Sequence, residues 1–332
     1  MEYQIAIIIP TLNEEKYIKD CIQSVIAQSY PFEKMEVMVV DGGSRDNTRA
    51  IVSEIQKEWH NVRLIDNPLK IQSAAFNIGV KLSQAPIIIR LDAHATYNTR
   101  YVELCRKHLL ENSQYGNVGG ICQTLPMNNT LMAEANAILN KSSFGIGGTK
   151  FRVGASAGCV DTVPFGAFRR EVIEKIGGMR EDMPRAEDNE FNSRIHKNGL
   201  KVYLDPEIVS TYFARDTFKG SIRQMYSNGI SIGHLFYIDR SAIGLRHFVP
   251  FVFSMSLLVS AIGSLFWKPF LWLFLIILGM YFLCAVGAII VLCRKNGWRF
   301  FLVLPVLFFS VHCSYGFGTL VGLFKYAKQY FK

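Results

Sequence analysis

Three short apolar runs rich in β-branched residues shape the first hundred residues, and each breaks off into a polar cluster. Ile5-Ala6-Ile7-Ile8-Ile9 runs into Pro10-Thr11-Leu12-Asn13-Glu14-Glu15. Val37-Met38-Val39-Val40 stops at Asp41-Gly42-Gly43-Ser44-Arg45-Asp46, and Ile87-Ile88-Ile89-Arg90-Leu91 ends in Asp92-Ala93-His94. Apolar runs of this length belong to strands covered on both faces, the habit of a parallel sheet. Ligands of such sheets bind outside the carboxyl ends of the strands. The polar clusters are therefore expected to converge on one crevice, where grouped carboxylates point to metal-assisted handling of a charged ligand.

Helical periodicity fills the gaps between these runs. Strands are expected near 5–9, 36–40, 62–65, 86–91 and 118–124, with helices near 16–28, 47–59, 72–83 and 99–111. That alternation predicts an open α/β sheet. Beyond 124 the pattern predicts a helix over 130–141, then a mobile loop or lid where Gly145, Gly147, Gly148, Gly154 and Gly158 crowd together. A strand at 161–168, helices at 170–176 and 187–197, and short strands at 201–204 and 208–212 complete the polar part.

Charge divides the chain in two. Residues 1–212 carry 24 Lys and Arg against 25 Asp and Glu, whereas 213–332 carry 12 against 2. The basic tail is also the apolar part, with uncharged stretches at 247–267, 269–293 and 300–324. Each reaches the roughly 20 residues that a spanning helix needs. Arg215, Lys219, Arg223, Arg240 and Arg246 precede them, as expected of a segment lying against anionic lipid headgroups. The expected organisation is an α/β domain over 1–212, a basic interfacial segment over 213–246 and a membrane domain over 247–332 with two or three spans. With a cytosolic polar domain, three spans would put Lys325, Lys328 and Lys332 outside, against the positive-inside tendency. The first stretch, which contains Pro250, is the candidate for an interfacial or re-entrant segment. No basic patch in the polar part calls for nucleic acid. Seven scattered cysteines without CxxC spacing fit a reducing compartment, and no secretory signal peptide is visible.

Each motif has a bland reading beside a chemical one. Asp41-Gly42-Gly43-Ser44 opens a helix, where glycines admit close backbone approach and helix-start amides attract anions. An ordinary capped turn would look the same. Asp92 and His94, two apart on an extended segment, would face one side and share a cation, with Mn2+ or Mg2+ favoured and phosphate oxygens completing the shell. Glu187, Asp188 and Glu190 sit in a first helical turn, favoured there by the macrodipole. Glu190 is expected to pair with Arg194 one turn on.

Taken together, Pro10-Thr11-Leu12-Asn13-Glu14, Asp41-Gly42-Gly43-Ser44-x-Asp46, Ala75-x-Asn77-x-Gly79, Asp92-Ala93-His94 and Glu187-Asp188 occur in the order seen in family-2 glycosyltransferases, which the chain resembles over about residues 4–215. The stretch from Val160 to Arg170 and the tail look like bacterial exopolysaccharide enzymes of the succinoglycan glucosyltransferase type. The resemblance implies a GT-A fold and inverting sugar transfer from a nucleotide-sugar, usually a UDP-sugar. It implies that Pro10, Asn13, Glu14, Asp41 and Asn77 line the nucleotide pocket with Asp46 and Lys70 nearby. Asp92 and His94 stand where the family has an Asp-x-Asp metal motif, with histidine replacing the second aspartate. Asp188 matches the catalytic base. The Gln-x-x-Arg-Trp motif of processive synthases is missing from the stretch beginning Ser221-Ile222-Arg223-Gln224, so addition of a single sugar is expected. The expected acceptor is a lipid-linked saccharide at the cytoplasmic membrane, with Arg169, Arg170, Arg215 and Arg223 as candidates for its phosphates. A sugar-nucleotide pyrophosphorylase would carry a glycine-rich basic N-terminal loop, whereas Pro10–Glu15 is acidic and lacks glycine. A non-catalytic scaffold would need neither Asp188 nor the 92/94 pair.

Overall fold

The computed structural model describes residues 3–330. Strand β1 (Ile5–Thr11) leads into helix α1 (Ile18–Ile26), β2 (Met35–Asp41) into α2 (Thr48–Glu58), and β3 (Val62–Asp66) into α3 (Gln72–Leu82). With β4 (Ile87–Arg90) these strands form a parallel set ordered β3-β2-β1-β4. Every residue of β1, β2 and β4 is buried, which is why their sequences run apolar without alternation. Ile18, Cys21, Ile22 and Val25 form the buried stripe of α1. Gly79 lets α3 lie directly on β1, since a Cβ there would come within 2.6 Å of Ile8 Cγ1.

Past β4 the sheet turns antiparallel. The chain adds β5 (Ala95–Tyr97), α4 (Tyr101–Glu111), β6 (Tyr115–Pro126), α5 (Leu131–Lys141), and the short turns α6 (Ser143–Ile146) and α7 (Lys150–Val153). Then come β7 (Gly158–Val160), β8 (Ala167–Arg169), α8 (Arg170–Ile176), α9 (Glu187–Lys197) and β9 (Lys201–Ala214). β8 runs antiparallel to β4, and the order continues β8-β6-β9-β5 with β7 pairing β9. This is the mixed, Rossmann-like sheet of a GT-A domain.

Three expectations need correction. Residues 161–168 are not one strand: Phe165 sits at φ 48°, which breaks any ladder between β7 and β8. Residues 201–204 and 208–212 belong to a single strand, β9. The glycine-rich stretch contains the helical turns α6 and α7, separated by Gly147 and Gly148 in left-handed conformations (φ 73° and 68°).

The chain forms two compact units: residues up to Gln123 with Gly154–Tyr212, and Thr124–Val153 with everything from Phe213 on. In the second unit α10 (Phe218–Ile238) lies along α13 (Val303–Tyr330). Gly229 and Gly233 face Tyr315, Thr319 and Leu323, while Gly318 and Gly322 face Tyr226 and Ile230, so the backbones touch. Close approach through small residues is how helices associate where burial from water supplies no drive. Ser254 of α11 (Val249–Gly263) fits against Gly316, and α12 (Lys268–Asn296) packs Ala285, Ile289 and Cys293 into a core with α5 and α13. Among the described residues three helices are long and apolar enough to cross a membrane: Leu245–Gly263, Lys268–Asn296 and Val303–Tyr330. Pro250 falls in the first turn of α11, where a missing N–H costs nothing.

Candidate active site

Because β1, β2 and β4 are parallel, their carboxyl ends share one edge of the sheet, and the loops leaving β1 and β2 are laced together there. Asn13, held at φ 57°, donates its N–H to Ser44 Oγ (2.8 Å) and accepts from the Arg45 N–H at Oδ1 (2.9 Å). The Glu14 N–H donates to Thr48 Oγ1 (2.8 Å), and Asp46 accepts from the Glu15 N–H and from Thr48. Asn13 and Asp46 thus work as stitches that set the loop shape. Pro10 is buried in β1 beside Val40, and the Lys70 side chain, from a residue at φ 59°, lies over Gly43.

Asp41 is almost wholly buried at the end of β2. Its Oδ2 accepts from the Gly43 and Ser44 N–H groups (3.0 Å each) and from Arg49 (2.8 Å), and Oδ1 accepts from the Ser44 hydroxyl. Burial pushes its carboxyl up, but the bonds from Ser44, Arg49 and Gly43 outweigh that and hold it below the ordinary carboxylate value. Asn77 is engaged by the protein itself. Its amide donates to Met179 O and Glu181 Oε1 (2.8 Å each) and accepts from the Met179 N–H (2.8 Å), pinning the loop ahead of α9.

The expected extended Asp92-x-His94 segment is instead a turn between β4 and β5. Tyr97 ties it: its hydroxyl accepts from the Asp92 N–H (2.7 Å) and donates to Asp92 O (3.2 Å). His94 Nδ1 lies 3.2 Å from Glu14 Oε1, joining this turn to the β1 loop.

Arg90, the last residue of β4 and only 5% exposed, gathers the acidic groups. One guanidinium nitrogen pairs with Asp188 Oδ1. The other reaches Gln72 Oε1 (3.0 Å), Asp92 Oδ1 (3.3 Å) and Glu187 Oε1 (3.5 Å). Burial opposes its charge, yet Asp188, Asp92 and Glu187 outweigh that and keep it protonated. Asp188 and Glu187 occupy the first turn of α9, entered through Ala186 in a left-handed conformation (φ 62°). Asn192, one turn on, is fixed by Asn117 and Thr162, and Arg194 grips Glu190 through two 2.8 Å bonds. The Asp188 side chain remains 41% exposed. Burial and the nearby Asp92 charge raise its carboxyl, partly countered by Arg90.

Glu187, buried among these charges, is pushed up to about 7 by burial and by Asp188, against the pull of Arg90. Between its ordinary 4.5 and about 7 the folded chain keeps a proton that the unfolded chain releases. Its contribution is therefore fully present below that window and is lost as pH rises through it. Glu187→Gln is expected to flatten the pH dependence of the melting temperature across the window and to stabilise the protein at pH 8 by about 1–3 kcal/mol. Parallel melting curves from pH 5 to 8 would show it.

Two acceptor-phosphate candidates are otherwise engaged. Arg169 donates to the carbonyls of Leu109, Asn112 and Ser113, and Arg170 to those of Val80, Ser83 and Ala85, so both fasten helix ends. Arg90, conversely, escaped the motif reading. Its signal was a lone charge inside Ile87-Ile88-Ile89-Arg90-Leu91, since a charge in a fully buried strand must be paired.

Comparison with known proteins gives the family and the fold. A glycosyl transferase family 2 model matches residues 6–177, and the chain belongs to that family. It is a glycosyltransferase with a GT-A domain and three C-terminal helices fit to span a membrane. It is 30% identical over 97% of its length, and 97% of the relative's, to a dolichyl N-acetyl-alpha-D-glucosaminyl phosphate 3-beta-D-2,3-diacetamido-2,3-dideoxy-beta-D-glucuronosyltransferase of Methanococcus voltae. It is also 30% identical, over 74% of its length and 73% of the relative's, to the succinoglycan biosynthesis protein ExoA of Rhizobium meliloti. Among solved structures, a mannosyltransferase from Pyrobaculum calidifontis in complex with GDP-Man and Mn2+ superposes with a TM-score of 0.60 at 17% identity, covering 98% of this chain and 88% of that one.

Among the described residues no three His, Cys, Asp or Glu side chains form a complete metal cage. Two protein ligands with substrate phosphates are what Mn2+ or Mg2+ ordinarily uses beside a diphosphate, and Asp92 and His94 fit that pattern. Asp92 and Asp188 around one guanidinium also leave excess negative charge for a cation to balance.

Proposed function

We propose that the enzyme transfers a single sugar, with inversion, from a UDP-sugar to a lipid-linked saccharide. One observation carries the assignment of roles: a single guanidinium, that of Arg90, bridges Asp92 of the donor-side motif and Asp188, the candidate base. The acceptor hydroxyl attacks the anomeric carbon from the face opposite the diphosphate. A new glycosidic C–O bond forms as the bond to the diphosphate breaks, the bonding pair leaving with UDP. Asp188 takes the hydroxyl proton, for which an ionised carboxylate suffices. Asp92 and His94 would hold Mn2+ or Mg2+, whose charge would offset that building on the leaving diphosphate. Asp41 keeps lone-pair capacity on Oδ1, which receives only the Ser44 hydroxyl, and that suits a base N–H. Asn13, Glu14, Asp46 and Lys70 would form the loop walls beside it, with Pro10 at the end of β1 behind them. Asn77 acts one step removed, by holding the 178–181 loop.

The lipid-linked acceptor is supported by the dolichyl phosphate in the Methanococcus relative's name and by a basic, apolar tail suited to a bilayer. We place the catalytic unit in the cytosol at the cytoplasmic membrane. A release assay for nucleoside diphosphate tests the reading, run over UDP- and GDP-sugars with extracted lipid-linked acceptors and with Mn2+ added or chelated. UDP release that needs both lipid acceptor and divalent metal is the expected result. Release only from GDP-sugars would replace the donor, and undiminished turnover under EDTA would remove the metal.

A further inference from the structure

We infer that Arg90 is a positioning residue that couples the two halves of the reaction, holding the metal-side carboxylate Asp92 and the base Asp188 at a fixed separation while standing in for the cation's charge. The inference rests on the reading of Asp188 as base. Four observations carry it. Arg90 is rigidly mounted: it ends a fully buried strand, its N–H donates to Gly166 O (3.0 Å), and Gln72 orients the guanidinium from α3 (3.0 Å). Its two terminal nitrogens divide their partners, one pairing with Asp188 and the other with Asp92 and Glu187. Its Nε is buried with no hydrogen-bond partner, so the site holds donor capacity that the protein alone does not use. Finally, the guanidinium reaches beyond its own β4–β5 turn, where Asp92 lies, to groups on α3 and at the start of α9. A purely local structural arginine would need only one of these.

The planar fork matters as well as the charge. Lysine offers a point charge and cannot hold carboxylates on two sides in one plane. A base displaced by about 1 Å from its in-line position can lose on the order of 10² in rate. Arg90's charge also opposes cation binding at Asp92, so removing it should tighten the metal while slowing the chemistry. General damage to the fold would weaken both.

The test uses the full chain in detergent, with Arg90→Lys and Arg90→Gln checked for melting temperature. Arg90→Lys is expected to lose about 10²-fold in kcat and to keep UDP affinity, by calorimetry, within about threefold. Arg90→Gln is expected to lose at least as much kcat yet to bind Mn2+ in the presence of UDP several-fold more tightly. A folded Arg90→Lys with kcat within about threefold of the natural protein overturns the inference, as does unchanged or weaker Mn2+ binding by Arg90→Gln. Asp188→Asn run alongside separates the two levels. If that variant keeps its turnover, the base assignment fails; if it is inactive while Arg90→Lys is not, only the role of Arg90 falls.

Discussion

Asp188→Asn is expected to lower turnover by on the order of 10²–10⁴, about 3–5 kcal/mol of transition-state stabilisation, while leaving UDP affinity nearly unchanged. Asparagine keeps the side chain's size but cannot take a proton from an acceptor hydroxyl. It still accepts a hydrogen bond from Arg90 through its carbonyl oxygen, so the first turn of α9 should stay in place. The specificity of the test comes from the geometry. Asp188 combines one oxygen engaged by a buried guanidinium with a side chain 41% exposed, the arrangement of a group anchored on one side and open to substrate on the other. Glu187 beside it is buried and Glu190 is locked to Arg194, so neither can substitute for it. Steady-state kinetics with calorimetry of UDP binding checks the prediction. Turnover within tenfold of the natural protein would take Asp188 out of the mechanism.

The largest stability effect is expected at Gly120, in the middle of β6. A Cβ there would overlap the Ile208 carbonyl oxygen and come within 2.6 Å of Asp205 O, both backbone atoms of the neighbouring strand β9. Backbone atoms in a sheet cannot swing aside as a side chain can. Gly120→Ala should therefore cost at least about 3 kcal/mol, or prevent folding. Gly199→Ala is the control: its φ of 75° strains alanine, but nothing lies within 4 Å, so a loss of about 1–2 kcal/mol is expected. Thermal melting of the two variants against the natural protein decides it, and equal losses would mean that β6 and β9 do not approach this closely.

The parallel half of the sheet was legible because a strand buried on both faces has to be mostly apolar, and β1, β2 and β4 carry long apolar runs. The helices long and apolar enough to cross a membrane were legible for the same reason: a long apolar stretch has few environments open to it. The antiparallel half was not. The bend at Phe165 and the continuity of β9 depend on what packs across the sheet, and periodicity within a segment carries no record of that.

The same division runs through the site. Sequence alone determined which residue types end the strands, and so which carboxylates could meet a diphosphate, because where a strand stops along the chain is a local property. Only the tertiary structure decided which of them meet. Asn77 and Asp46 spend their hydrogen bonds on loops, Arg169 and Arg170 spend theirs on helix ends, and Arg90 joins residues 92 and 188 across nearly a hundred positions. A buried charge takes whichever partner the folded chain brings within about 3 Å, and that distance exists only after folding.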